Sequence, residues 1–328
     1  MKYANFAHLV PLLFLAACGG GNSDNNGGNN NPPPSAAMGI DAGNALLVAQ
    51  VTYQSASSSG DFAGLAGNTG LTGNAGGGLA KPAIGSASIF DAILQVPVGP
   101  IELPCAVSGT YTISGDLADP VGGTLTAGDS LAAEYNACDD GVGEVLDGTI
   151  EFDVDAISGD ITSGAYELTM TMRLINFQST TAEDVLMANG DGTATINTLA
   201  APYVEASVSG GSMMTDTNAS TQTLTLYASA QTVDTGIVPS PFTLTTSGTL
   251  DSSDLTGSVT YSTPLMFEGF DANYPHVGQL LIVGDASSAR IIAQANAIDV
   301  VIEIYSNTTG TGTPDTTINT TWTELAGL

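Results

Sequence analysis

Leu146-Asp147-Gly148-Thr149-Ile150-Glu151-Phe152-Asp153-Val154-Asp155 decides the fold. Its even positions are apolar or glycine and its odd positions are acidic or hydroxylated, so the period is two. A strand with this alternation has one dry face and one wet face, as in an antiparallel sheet covered on one side. Tyr166, Leu168, Met170, Met172 and Leu174 repeat the pattern, with Glu167, Thr169, Thr171 and Arg173 opposite. The pairs Leu224/Leu226, Phe242/Leu244, Val259/Tyr261, Leu280/Ile282, Ile291/Ala293 and Ile302/Ile304 carry it onward. Ser158-Gly159-Asp160, Asn189-Gly190-Asp191-Gly192 and Ser209-Gly210-Gly211 read as turns between strands. About fourteen strands are expected, too many for one flat sheet. The chain is therefore predicted to be all-β: a large antiparallel curved sheet, an open barrel or a sandwich, with a short helical N-terminal part.

That helical part is predicted over residues 40–57. Asp41 is placed to cap a helix bearing Ala42, Ala45, Leu46, Leu47, Val48, Ala49 and Val51. The run is apolar nearly all round, which predicts burial. Gly60 to Gly85 reads as a glycine-rich loop, and Ser86 to Leu94 as a second short helix. Residues 19–37, with Asn and Gly runs and Pro32-Pro33-Pro34, contain no core-forming side chain and read as a tether with a reach of about 25 Å.

The formal net charge is −29 at pH 7, from 4 basic and 33 acidic residues. So anionic a surface is repelled by nucleic acid and by anionic headgroups, and suits a salty medium, calcium or a cationic ligand.

The N-terminus has its own pattern. Lys2 is followed by an apolar run from Phe6 to Ala17, closed by Leu15-Ala16-Ala17-Cys18. The run is short for a membrane span and contains His8 and Pro11. It resembles the lipobox of bacterial lipoprotein precursors. That resemblance implies cleavage before Cys18, a diacylglyceryl (palmitate-type) lipid on its thiol and an acyl group on its amine, which together make a durable membrane anchor. Gly19, where an aspartate would signal retention at the inner membrane, implies sorting to the outer membrane. The remaining thiols, Cys105 and Cys138, then lie in an oxidising compartment and are expected to form a disulfide rather than two buried free thiols.

Further motifs, the Cys105 and Cys138 strands, Asn273-Tyr274-Pro275 leading into Gly278-Gln279-Leu280-Leu281, and Thr317-Ile318-Asn319-Thr320-Thr321-Trp322-Thr323-Glu324-Leu325, resemble a group of uncharacterised proteobacterial outer-membrane lipoproteins. The likeness implies a fold and transfers no catalytic residue. The chain divides accordingly into a signal peptide (1–17), a lipidated cysteine and tether (18–38), a helical and glycine-rich segment packing on the sheet (39–104) and an antiparallel β domain (105–328).

Catalytic parts are scarce. After signal cleavage His276 is the sole histidine, and only Lys81, Arg173 and Arg290 are basic. Gly128-Asp129-Ser130-Leu131-Ala132 approaches a nucleophile elbow but lacks its second glycine and any α/β context. The acidic stripe Asp147, Glu151, Asp153, Asp155 reads as a solvated strand face. Calcium candidates are Asp139, Asp140 and Glu144, and Asn189 with Asp191, all in Asp/Asn/Gly stretches that supply oxygen ligands but miss the full calcium-loop pattern. Met170, Met172, Met213, Met214 and Met266 would suit an adaptable apolar pocket. The expected function is non-catalytic: an outer-membrane-anchored lipoprotein with a binding or structural role in the cell envelope, taking an apolar ligand or an envelope protein and no cofactor. The alternatives are a carbohydrate-active hydrolase using a carboxylate pair, a surface adhesin and a transmembrane β-barrel.

Overall fold

The computed structural model describes residues 36–67, 99–118, 125–141, 143–182, 185–217, 220–270 and 273–326. The predicted helix at Ser86 to Leu94, and Cys18 with the segments around it, lie outside these residues. Among the described residues one helix, α1 (Ala45–Gly67), precedes the sheet. The strands are β1 (Ile101–Pro104), β2 (Ser108–Asp116), β3 (Ser130–Asp139), β4 (Glu144–Asp160), β5 (Ala165–Thr181), β6 (Val185–Asn197) and β7 (Tyr203–Thr217). They continue as β8 (Thr221–Asp234), β9 (Pro241–Ser252), β10 (Val259–Phe270), β11 (Val277–Val283), β12 (Ser288–Ala293), β13 (Asp299–Tyr305) and β14 (Thr316–Thr321). A single turn of helix, α2 (Trp322–Leu325), ends the fold. Each strand pairs with the next in one antiparallel 14-stranded sheet that does not close on itself.

The period of two is realised where it was strongest. In β4, Leu146, Ile150, Phe152 and Val154 are buried, and β5 buries Tyr166, Leu168, Met170, Met172 and Leu174. Their inward faces join those of β8 to β13 in one apolar core. Helix α1 lies in the hollow of the sheet, packing on β6–β9 and again on β12 and β13. A sheet that reaches one helix from strands so far apart in its order must curve around it. Ala45, Val48, Ala49, Val51, Tyr53 and Ala56 are buried, whereas Ala42 and Leu47 are exposed, so the apolar run keeps one wet side that its composition did not indicate.

The helix begins later than the sequence indicated. Asp41 sits in the turn before it: Asp41 Oδ1 accepts from the Gly43 and Asn44 amides, and the Asp41 carbonyl accepts from Ala45. The helix also continues through Gly60, where glycine had pointed to a loop. The sheet starts at Ile101, four residues before the predicted boundary at Cys105.

Two predicted turns are not turns. Asn189–Gly192 lies inside β6 and Ser209–Gly211 inside β7. Both belong to a row of β-bulges crossing the sheet. Register shifts fall between Tyr135 and Cys138, Asp147 and Thr149, Leu174 and Phe177, Asp191 and Thr193, Thr225 and Ala228, and Ser262 and Phe267. Each bulge adds a residue to one strand and increases its bend and twist, so a row of them creases the sheet. Ala137, Asn176 and Leu226, with φ of 47°, 47° and 50°, are non-glycine left-handed residues in it. Gly148 is needed opposite one of them: its φ is 92°, and a Cβ there would stand 2.2 Å from the Asn176 carbonyl oxygen. Glycine therefore marks bulges as often as turns in this chain. The bulge also turns Leu226 outward, although alternation from Leu224 placed it in the core.

Successive turns alternate between two ends of the sheet. Residues 36–40 join at the end carrying the β9–β10 and β11–β12 turns. Ala37 bridges Ser258 in parallel, the Asp285 amide donates to the Met38 carbonyl at 2.7 Å, and the Ile40 amide to Ser287 Oγ at 2.7 Å. The β4–β5, β6–β7, β8–β9, β10–β11 and β12–β13 turns form the opposite end.

Candidate functional site

Cys105 and Cys138 are bonded, with Cα atoms 5.5 Å apart. The strand pairing of β2 with β3 brings them together, and the chain between Cys105 and Val107 is fastened to the next turn. The Ala106 amide donates to Asp140 Oδ1 at 3.0 Å, and the Val107 amide to the Asp139 carbonyl at 2.8 Å. The Asp140 carboxylate lies within 4.8 Å of both sulfurs. Tyr111 stacks on Tyr135, which meets the edge of Phe177. Burial pushes both phenols upward, with the Asp140 carboxylate adding to the effect, so neither ionises near neutral pH.

The calcium candidates of this region diverge. Asp139 Oδ1 accepts from the Gly141 amide and Asp140 from Ala106, whereas Glu144 turns to the inner face and is 6% exposed. The three carboxylates do not form a ligand cluster among the described residues. Asn189 and Asp191 serve the crease. Asn189 Oδ1 accepts from the left-handed Asn176 amide at 2.7 Å, just as Asp147 Oδ1 accepts from Ala137 at 2.9 Å. The Asp191 carbonyl accepts from the Tyr227 hydroxyl, and its side chain is exposed. A side-chain oxygen reaching a bulge amide satisfies a donor that the ladder has lost.

Glu144 carries a different signature. One oxygen takes the Ser179 hydroxyl; the other, Oε2, is buried and makes no hydrogen bond among the described residues. Burial raises this carboxyl above the usual glutamate range, and the serine bond offsets part of the rise. With the folded-state pKa above the unfolded one, the native chain holds the proton more tightly between the two values. Stability from this group is then full below the unfolded pKa and falls as pH rises through that window. Glu144→Gln should therefore match the parent in acid and exceed it by about 1 kcal/mol at neutral pH, the low end of the cost of an unpartnered buried polar atom. Urea melts across pH 4 to 8 test this; parallel curves for the two proteins would contradict it.

The other carboxylates of β4 stand on the solvent side. Arg173 bridges Glu151 at 3.0 Å and Asp153 at 2.7 Å, and Thr171 donates to Asp155. Asp129, in the near-elbow sequence, is buried and accepts from the Ala118 and Thr126 amides at 2.8 and 2.6 Å, a loop-fastening role. His276 stacks on Phe270, 5.5 Å away, at the β10–β11 turn.

The methionines do not line one pocket. Met170, Met172 and Met213 are buried, whereas Met214 and Met266 are exposed. A bulge or a single step along a strand decides the face. Among the described residues, two open depressions lie on the sheet. One, of about 390 Å³, is lined by small and hydroxylated side chains including Ser209, Ala228, Thr245 and Thr263. The other, of about 690 Å³, is bordered by Gln294, Asn296, Asp299, Asn319 and Glu324. Periodicity along one strand does not foretell either, because each is lined by residues from several chain segments.

No protein-family model, curated protein or solved structure matches this chain. The likeness to outer-membrane lipoproteins accordingly rests on the residues quoted from the sequence.

Proposed function

We propose that this chain is an outer-membrane-anchored lipoprotein with a non-catalytic binding or structural role in the cell envelope, held by lipid on Cys18. The observation that carries the non-catalytic part is how polar groups are distributed over the curved sheet. Its hollow side is a continuous apolar core around α1, while Glu151, Asp153 and Asp155 are turned to solvent and Asp129 and Asn189 are taken up by backbone amides. The disulfide accords with an oxidising compartment. An apolar ligand would have to share the inner face with α1, on the side of β4 and β5, where Glu144 offers a buried oxygen for a hydroxyl or cationic head.

Cys18→Ala tests the anchor. The variant should move from the outer-membrane fraction to the soluble fraction with its melting temperature unchanged, because seventeen residues lie between the thiol and Ala36, where the chain joins the sheet. Retention in the outer membrane would refute attachment through Cys18. Lipid extracted from protein purified without detergent, identified by mass spectrometry, tests the ligand; lipid-free protein would confine the role to a structural one.

A further inference from the structure

We infer that the end of the sheet opposite residues 36–40 docks onto a zwitterionic lipid surface through the tips of its β6–β7 and β8–β9 turns. Exposed large apolar side chains gather there. Val238 is 91% exposed and Ile237 54%, and Leu199 and Tyr203 stand exposed on the neighbouring turn. The two turns are fastened together: the Thr235 amide and hydroxyl both donate to the Pro202 carbonyl, at 3.0 and 2.7 Å. Phe270 and Ile298, also exposed, sit on the β10–β11 and β12–β13 sides of the same end.

The charge pattern selects the occupant. In a chain with 33 acidic residues, the stretches from Gly192 to Val204 and from Thr235 to Leu250 contain no charged side chain. A bilayer penalises charge at the depth of an inserted tip and takes leucine, isoleucine and valine, with tyrosine at the headgroup level. The net charge of −29 disfavours an anionic membrane, which leaves neutral headgroups. The shape agrees. A side chain exposed to the extent of Val238 protrudes, whereas the core of a protein interface is a packed and complementary patch. Beneath the tips the Leu199, Tyr203, Thr235 and Gly236 amides are bonded within the two turns, which fixes the loops that carry the apolar side chains. The contact is separate from attachment through Cys18, because the chain meets the sheet at its other end.

The full chain carrying Cys18→Ala, mixed with phosphatidylcholine vesicles, isolates this surface. Ile237→Asp/Val238→Asp in the same background should lower the partition coefficient about tenfold or more, with an unchanged melting temperature. Leu199→Ser should lower it less. In a Val238→Trp variant, brominated phosphatidylcholine should quench the added fluorescence, while Trp322, buried in the core, supplies a constant background. Absence of partitioning by the Cys18→Ala parent, or equal partitioning of the parent and the double aspartate variant, would overturn the inference. So would a concentration-dependent self-association that the aspartates abolish without any effect on vesicles, which would assign the surface to a second copy of the chain.

Discussion

Trp322→Ala is expected to destabilise the protein by about 4 kcal/mol, in the range for removing a large aromatic from a packed core. Trp322 is fully buried at the start of α2. Its ring centroid lies 5.1 Å from Tyr53 of α1, 5.8 Å from Phe267 of β10 and 6.0 Å from Tyr274. The indole N–H donates to the Pro275 carbonyl at 3.0 Å. One side chain thus joins the inner helix, the tenth strand, the following turn and the chain's last helix, and α1 and α2 are also linked by Gln50 donating to the Glu324 carbonyl. Truncation leaves a cavity and an orphaned carbonyl together. Trp322→Phe should cost less, since it keeps most of the volume and loses the hydrogen bond. Denaturant melts of both variants check this; a loss under 1 kcal/mol for alanine would show that α2 does not close the core.

The Cys105→Ala/Cys138→Ala double variant should lose roughly 3–4 kcal/mol, the chain-entropy value for a loop of 33 residues. The loss belongs largely to the unfolded chain, so the folded arrangement of β2 and β3 should survive it. The Ala106–Asp140 and Val107–Asp139 bonds hold the same turn without the sulfurs. Parent protein in reductant should melt like the variant, and equal midpoints for oxidised and reduced parent would contradict the effect.

What could be read from the sequence follows from where the physics is local. Alternation in β4 and β5 is dictated by the pleat of each strand, so spacing alone assigns Ile150, Phe152, Leu168 and Met170 to the buried face. The bulges were not legible in this way, because a bulge is defined by the register of two strands, and register depends on distant partners. Gly190 and Gly210 therefore read as turn glycines, and Leu226 as core, when all three belong to a crease. Asn189 shows the same limit at the level of sites: an Asx residue beside glycine is as fit to satisfy a bulge amide as to ligate calcium, and only the Asn176 amide 2.7 Å away decides what it does here. The Cys105–Cys138 pairing was legible on the expectation that Cys18 carries lipid in an oxidising compartment, which leaves one partner for each of the other two thiols. The tip of Ile237 and Val238 was not, because apolar residues next to prolines carry no periodicity that separates a buried turn from a protruding one.

The most direct test of the lipoprotein reading is the mass of the N-terminal peptide of the protein extracted from membranes. The expected product is a chain beginning at Cys18, its thiol carrying a diacylglyceryl group and its amine an acyl chain. A chain that retains residues 1–17, or that carries Cys18 as an unmodified thiol, would contradict it.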